Sequence, residues 1–232
     1  MTRVIGLIGG IGPETTVAYY NQIITAHRER TRDGSYPSLV INSIDAKRLI
    51  GPIMEGRNDE VVDVLLSAIT VLERAGAAFA AIAANTPHIV FDILRTRSPL
   101  PLVSIVEATA DAAREQGIKN PALLGTRPTM EATFYHDVFA RDWMTIVTPD
   151  EDDRAYIHEK YMGELFHNVI KTETRDRLVS IISSLERRDG IDGIILGGTE
   201  LSLILTEPSY AGIPVLDTTR IHVQRIVAES FV

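Results

Sequence analysis

Eight short runs that are apolar on both faces, separated by amphipathic stretches, constrain this chain more than any other feature. They read "RVIGLIG", "PSLVINSI", "AFAAIAA", "PLVSI", "PALLG", "MTIVT", "GIILG" and "IPVLD". A strand that is apolar on both faces must be covered on both. Between the runs lie segments of helical period, such as Asp59 to Arg74, where Val61, Leu65, Ala68 and Leu72 share a face, and Thr174 to Arg188. Covered strands alternating with helices predict parallel βαβ units and an α/β fold.

A faint internal repeat divides the chain. "LIGGIGPETT" resembles "LLGTRPTMEA", and "IAANTPH" resembles "ILGGTEL". Each is an apolar strand, a turn and a helix start, with a proline suited to the first helical turn in the first pair. The spacing from Gly9 to Ala84 is within two residues of that from Gly125 to Gly198. The repeat predicts two similar α/β halves, each with a mostly parallel sheet covered by helices on both faces. The expected boundaries are residues 1–98 with 212–232 for one half, where "IPVLDTTRIH" reads as a returning strand and helix, and 99–211 for the other. With 232 residues, 45% of them apolar, the chain can bury a core of that size.

Charge and residue usage narrow the function classes. A net charge of −8 without long runs of one sign argues against nucleic acid or an anionic membrane as partner. There is no cysteine, hence no disulfide, thiolate metal site or thiol nucleophile. His27, His136, His158, His167 and His222 are scattered without metal-ligand spacing, so no metal is expected. "MTRVIGLIGGIGPE" is too short and too interrupted by glycine for a secretory signal, and "AGAAFAAIAA" falls far below a membrane span. A soluble cytoplasmic protein is expected.

Chemistry is sought at the four strand-to-helix turns, because open α/β sheets bind ligands beyond the carboxyl ends of their strands. Helix starts expose unpaired N–H groups that suit carboxylate or phosphate. Thr15 and Thr16, Asn85 and Thr86, Thr126 and Thr129, and Thr199 add side-chain donors there. At any single turn these residues read equally as N-caps; four turns in a repeated pattern favour a site, and a cleft between the halves could use all four. Gly10-x-Gly12 is part of a dinucleotide fingerprint, but Thr15 replaces its third glycine and Asp33 lies in a loop, so nucleotide binding is the weaker reading.

These residues resemble the aspartate/glutamate racemase superfamily, whose members work without pyridoxal phosphate. The resemblance runs through "GLIGGIGPETT", "NTPH", "LLGTRPTMEATFY", "ILGGTEL" and "IPVLDTTRIH" in the family's order and covers nearly the whole chain. It implies two similar Rossmann-like three-layer halves with mostly parallel sheets, related by a pseudo-two-fold axis, an active site between them, no cofactor, a small acidic amino acid or other carboxylate as substrate, and a homodimer. It also implies one acid/base on each face of the substrate α-carbon, commonly a cysteine before the Asn-Thr and another before the Thr-Glu. Here those positions are Ala84 and Gly198, which carry no titratable group. A naturally cysteine-free branch fits this better than an engineered variant, since a designer would more readily use alanine or serine twice.

Two residues are candidates to move the proton instead. Glu200 follows Thr199 and could be held near neutrality by burial; otherwise it complements a helix dipole. His88 follows Asn85-Thr86 and is expected to titrate near neutral pH; otherwise it bonds a neighbouring carbonyl. Arg48, in "DAKRLIG", resembles a family arginine that approaches the substrate carboxylate, and a guanidinium matches a carboxylate with two prongs. Arg127 and Lys160 have weaker claims. The expected function is a racemase-like, cofactor-independent α-proton transfer on a small acidic amino acid. The alternatives are a dicarboxylate-binding relative without catalysis, and another isomerase or lyase of the superfamily.

Overall fold

The computed structural model describes residues 2–232 and resolves the chain into two compact units, residues 1–105 with 219–232, and residues 106–218. The elements follow in order as β1 (Ile5–Gly9), α1 (Pro13–Thr31), β2 (Leu39–Ser43), α2 (Lys47–Met54), α3 (Asn58–Arg74), β3 (Phe79–Ile82), α4 (Phe91–Arg97), β4 (Leu102–Val103) and α5 (Ile105–Glu115). Then come β5 (Pro121–Gly125), α6 (Arg127–Glu131), α7 (Phe134–Ala140), α8 (Glu151–Gly163), α9 (Thr172–Asp189), β6 (Gly193–Gly197), β7 (Ser209–Tyr210), β8 (Ile213–Asp217) and α10 (Thr218–Glu229). Single turns of 3-10 helix follow β3 at Thr86–Val90 and β6 at Thr199–Leu203.

The first unit carries a four-stranded parallel sheet in the order β2-β1-β3-β4. The chain leaves β1 in one direction to make β2 and in the other to make β3. The gap between β1 and β3 is therefore the switch point, where an open sheet leaves a crevice beyond its carboxyl ends. Both faces are covered, as the doubly apolar strands require. Ile8, Ala80 and Ile82 pack with Leu65, Ile69 and Leu72 of α3. Ile5, Leu7 and Phe79 pack with Tyr19 and Ile23 of α1 and with Val223 and Ile226 of α10. Each fully buried aliphatic side chain of this kind stabilises the fold by ~1.5–3 kcal/mol relative to exposure.

The second unit repeats the plan. Its sheet runs β5-β6-β8-β7, with β7 antiparallel at the edge, and Val147 makes an isolated parallel bridge to Ala122 on the far side of β5. Here the switch point falls between β5 and β6. Leu124, Ile194 and Leu196 pack with Ile157 and Tyr161 of α8 and with Leu178, Ile181 and Leu185 of α9.

Three elements differ from the sequence expectation. The run "IPVLD", expected in the half that holds residues 212–232, pairs in register with β6 as β8, while α10 packs in the first unit. "PLVSI", expected to open residues 99–211, contributes β4 to the first sheet by pairing with β3. "MTIVT" makes a bridge rather than a full strand. Sheet membership is a long-range pairing that a local apolar pattern does not encode.

Candidate functional site

In the first unit, β1 ends in a turn that only glycine fits. Gly10 has φ of 82°, and a Cβ there would overlap the Ile44 carbonyl oxygen and lie 2.7 Å from the Ser43 hydroxyl. The Gly10 N–H donates to Thr16 Oγ1 at 2.8 Å, and that hydroxyl donates to the Gly12 carbonyl at 3.1 Å. Thr16 thus ties the start of α1 together, and Thr15 is buried beside it.

At the end of β3, Ala84 and Asn85 are both buried, and Thr86 begins the 3-10 turn. His88 turns into the core. Its ring stacks on Phe91 at 4.8 Å and meets the His222 ring edge-on at 6.4 Å. The Ile105 N–H donates to His88 Nε2 at 3.3 Å, which assigns the ring proton to Nδ1. Burial, then the neighbouring His222, pushes the His88 pKa down to about 3. The expectation that His88 titrates near neutral pH is therefore corrected: the imidazole is neutral and built into the core. His222 is similar. The Tyr19 hydroxyl donates to its Nδ1 at 2.9 Å, its Nε2 donates to the Val103 carbonyl at 3.1 Å, and burial lowers its pKa to about 4.

Arg48 lies in the first turn of α2, just after β2. Its backbone N–H donates to the Asp45 carbonyl at 3.0 Å, and its side chain is exposed and makes no ion pair among the described residues. It is a cation without a structural commitment.

The first turn of the second unit is occupied by its own hydrogen bonds. Thr126 caps α6: its Oγ1 accepts from the Thr129 N–H at 3.4 Å and lies 3.0 Å from Thr129 Oγ1. Arg127 is committed as well. Its N–H donates to His158 Nδ1 at 3.2 Å, and its guanidinium lies 3.7 Å from Glu131, an oxygen that Arg154 also approaches at 3.4 Å. Lys160 pairs with Glu159 at 3.1 Å and Glu164 at 3.3 Å.

The turn after β6 holds a dense polar constellation. Thr199 and Glu200 are 6% and 3% exposed. The Thr199 hydroxyl donates to Glu200 Oε2 at 2.9 Å, and the Tyr161 hydroxyl donates to the same oxygen. Both hydroxyls thus converge on one carboxylate oxygen, which accepts from each. Burial, followed by the Glu200 charge, holds the Tyr161 phenol well above its usual range. Gly198 has φ of −144°, an ordinary extended value, yet a Cβ there would overlap Tyr161 Cε2 and lie 3.0 Å from its hydroxyl oxygen. The Tyr161 ring stands where a side chain at 198 would begin. On α8 the sequence pointed to Lys160 and not to Tyr161. The signal was present: Ile157 and Tyr161 are four apart and both face inward on α8.

Among the described residues no group of three or more His, Asp or Glu side chains is placed to hold a metal ion, and no helix is long and apolar enough to cross a membrane.

Comparison with known proteins gives a consistent result. Residues 8–226 match the family model described as Asp/Glu/Hydantoin racemase. The chain is similar to a broad specificity amino-acid racemase, RacX, of Bacillus subtilis (strain 168), with 23% identity over 223 residues, covering 93% of this chain and 92% of that protein. It superposes on the crystal structure of an aspartate racemase homologue from Pyrococcus horikoshii OT3 with a TM-score of 0.84 and 33% identity, covering 99% of this chain and all (100%) of the other. The Picrophilus torridus aspartate racemase shares the fold, with a TM-score of 0.80 at 22% identity over 99% of this chain and 94% of that one.

Proposed function

This chain belongs to the Asp/Glu/hydantoin racemase family, and from that premise we propose that it moves the α-proton of a small acidic amino acid, aspartate or glutamate, without pyridoxal phosphate. Asn85, Thr86, Arg48, Thr126, Thr129 and Thr199 are proposed to bind the carboxylates, with Thr15 alongside. The observation that carries the reading is the buried Glu200 carboxylate at the carboxyl end of β6, with two hydroxyls on one oxygen. A buried carboxylate placed at a sheet's switch point is a proton acceptor where a ligand is expected. The same reading takes the protein as a cytoplasmic homodimer, on the family resemblance.

A second reading has its own support. Ala84 carries no proton, Gly198 has no side chain, and His88 is locked neutral. These favour a relative that binds a dicarboxylate without transforming it. Incubation with L-aspartate and with L-glutamate in deuterium oxide, with the α-proton followed by NMR, separates the two. Loss of the α-proton signal supports proton transfer. Saturable binding with an unchanged signal supports the binding relative.

A further inference from the structure

Gly198 and Tyr161 fit each other as a pair. The ring of Tyr161 comes from α8, nearly forty residues earlier in the chain, and fills the space that any side chain at 198 would need. Its hydroxyl reaches Glu200 Oε2, which Thr199 Oγ1 also holds. The phenol oxygen therefore sits at the carboxyl end of β6, at the switch point of the second sheet, with a buried carboxylate behind it as its proton acceptor. Tyr161 packs against the core that includes Leu196 and Leu201, which fixes the ring. A phenol held rigidly by packing and backed by a carboxylate has the arrangement of a general acid and base: a proton carrier oriented by a second group.

We propose that Tyr161 is a catalytic residue of this protein: its hydroxyl, seated in the side-chain space of Gly198, exchanges the proton with the substrate α-carbon, and Glu200 acts through it as a relay. The proposal rests on the α-proton-transfer reading above. In the forward step the Tyr161 oxygen takes the α-proton while its own phenolic proton passes to Glu200. The Cα–H bond breaks, its electron pair stays on the substrate as a carbanion delocalised into the adjacent carboxylate, and the phenol is restored with Glu200 protonated. The reverse step returns a proton, by then exchanged with solvent, to the face it left. A single proton carrier serves one face of the α-carbon, so exchange outruns inversion.

The test compares the unaltered chain with Tyr161→Phe and Glu200→Gln, using L-aspartate and L-glutamate in deuterium oxide. Tyr161→Phe keeps the ring that packs beside Gly198 and removes only the hydroxyl. Exchange is expected to fall at least ~100-fold in each variant. In Tyr161→Phe the loss should appear in kcat, with KM and the affinity measured by calorimetry within about threefold. A merely structural role would move binding and thermal stability together with rate. In Glu200→Gln, too, the loss should fall on kcat, with KM within about threefold. If the unaltered chain exchanges and either variant keeps its rate, the assignment of Tyr161 is overturned while the functional reading stands. If the unaltered chain exchanges neither substrate, both are overturned. Should Tyr161→Phe fail to fold, Glu200→Gln still decides: a retained rate, or a loss that appears in KM instead of kcat, overturns the relay.

Discussion

The turn after β3 and the turn after β6 occupy the same place in their sheets, yet they are filled in opposite ways. After β3 the chain offers Ala84, a bare methyl, and then His88, whose ring is withdrawn between Phe91 and His222 and kept neutral. After β6 it offers Gly198, no side chain at all, but a tyrosine from α8 moves into that space and meets Glu200. Equivalent turns thus hold a methyl and a withdrawn imidazole in one unit, and a tyrosine brought from a different element beside a glutamate in the other. Backbone position alone therefore does not say which chemistry a turn can perform. The side chains that converge on it from elsewhere decide.

The comparison breaks most visibly if Glu200 is dispensable. Glu200→Gln should lower α-proton exchange by ~10²–10⁴-fold, the range for a positioned acid–base group. His88→Asn should leave the exchange rate of the folded protein within about twofold, because a core imidazole with a pKa of about 3 carries no charge at working pH. Isotope exchange rates in the two variants measure this directly, and a large loss in His88→Asn would restore the first turn to the chemistry.

Acid should strike the first unit through its buried histidines. His88 and His222 have folded pKa values of about 3 and 4, against 6.5 for the ordinary side chain. Above pH 6.5 neither form of the chain is protonated there, and their full contribution to stability is present. As pH falls below 6.5 the unfolded chain takes up protons that the folded one refuses. Stability is then lost by up to ~1.4 kcal/mol per pH unit for each histidine until the folded values are reached. Urea midpoints between pH 7 and pH 5 should fall, and His222→Gln should flatten that slope while lowering the midpoint at pH 7.

Arg48 sharpens the comparison from the other side, since the proposed function gives it a role in binding. Arg48→Ala should weaken affinity for aspartate or glutamate by ~1.5–3 kcal/mol, the range for hydrogen bonds to charged groups. Calorimetric titration that shows unchanged affinity would place the guanidinium outside the site. A smaller effect is expected at Gly198. Its backbone conformation accepts any residue, so the obstacle is the Tyr161 ring. Gly198→Cys should destabilise the fold by ~1–3 kcal/mol through overpacking. Combining it with Tyr161→Ala should cost less than the two changes added, because the cavity and the new side chain occupy one space. Additive urea-unfolding energies would show that the two positions do not share it.

Much of this was legible in the sequence, for physical reasons. "IGLIG" and "GIILG" announce buried parallel strands because each must be apolar on both faces. Glu200 was legible because it adjoins Thr199 at a strand end. Tyr161 was not, because its role depends on α8 packing over β6 and on the absence of a Cβ at Gly198, a contact between residues far apart in the chain. The neutrality of His88 was equally hidden, since Phe91, His222 and the Ile105 N–H that create it meet only in the folded unit. The sheet assignments of β4 and β8 failed for the same reason: apolar pattern identifies a strand but not its neighbour.

The inequality of the two turns is tested most directly by following exchange and configuration together. L-aspartate and L-glutamate are incubated with the unaltered protein in deuterium oxide, deuterium at Cα is read by NMR and the D-enantiomer by chiral chromatography. A proton carrier on one side only predicts that deuterium accumulates with the L configuration retained, well ahead of any D-enantiomer. Deuterium and D-enantiomer appearing at equal rates would mean that a second acid/base works from the opposite face, and would contradict the account.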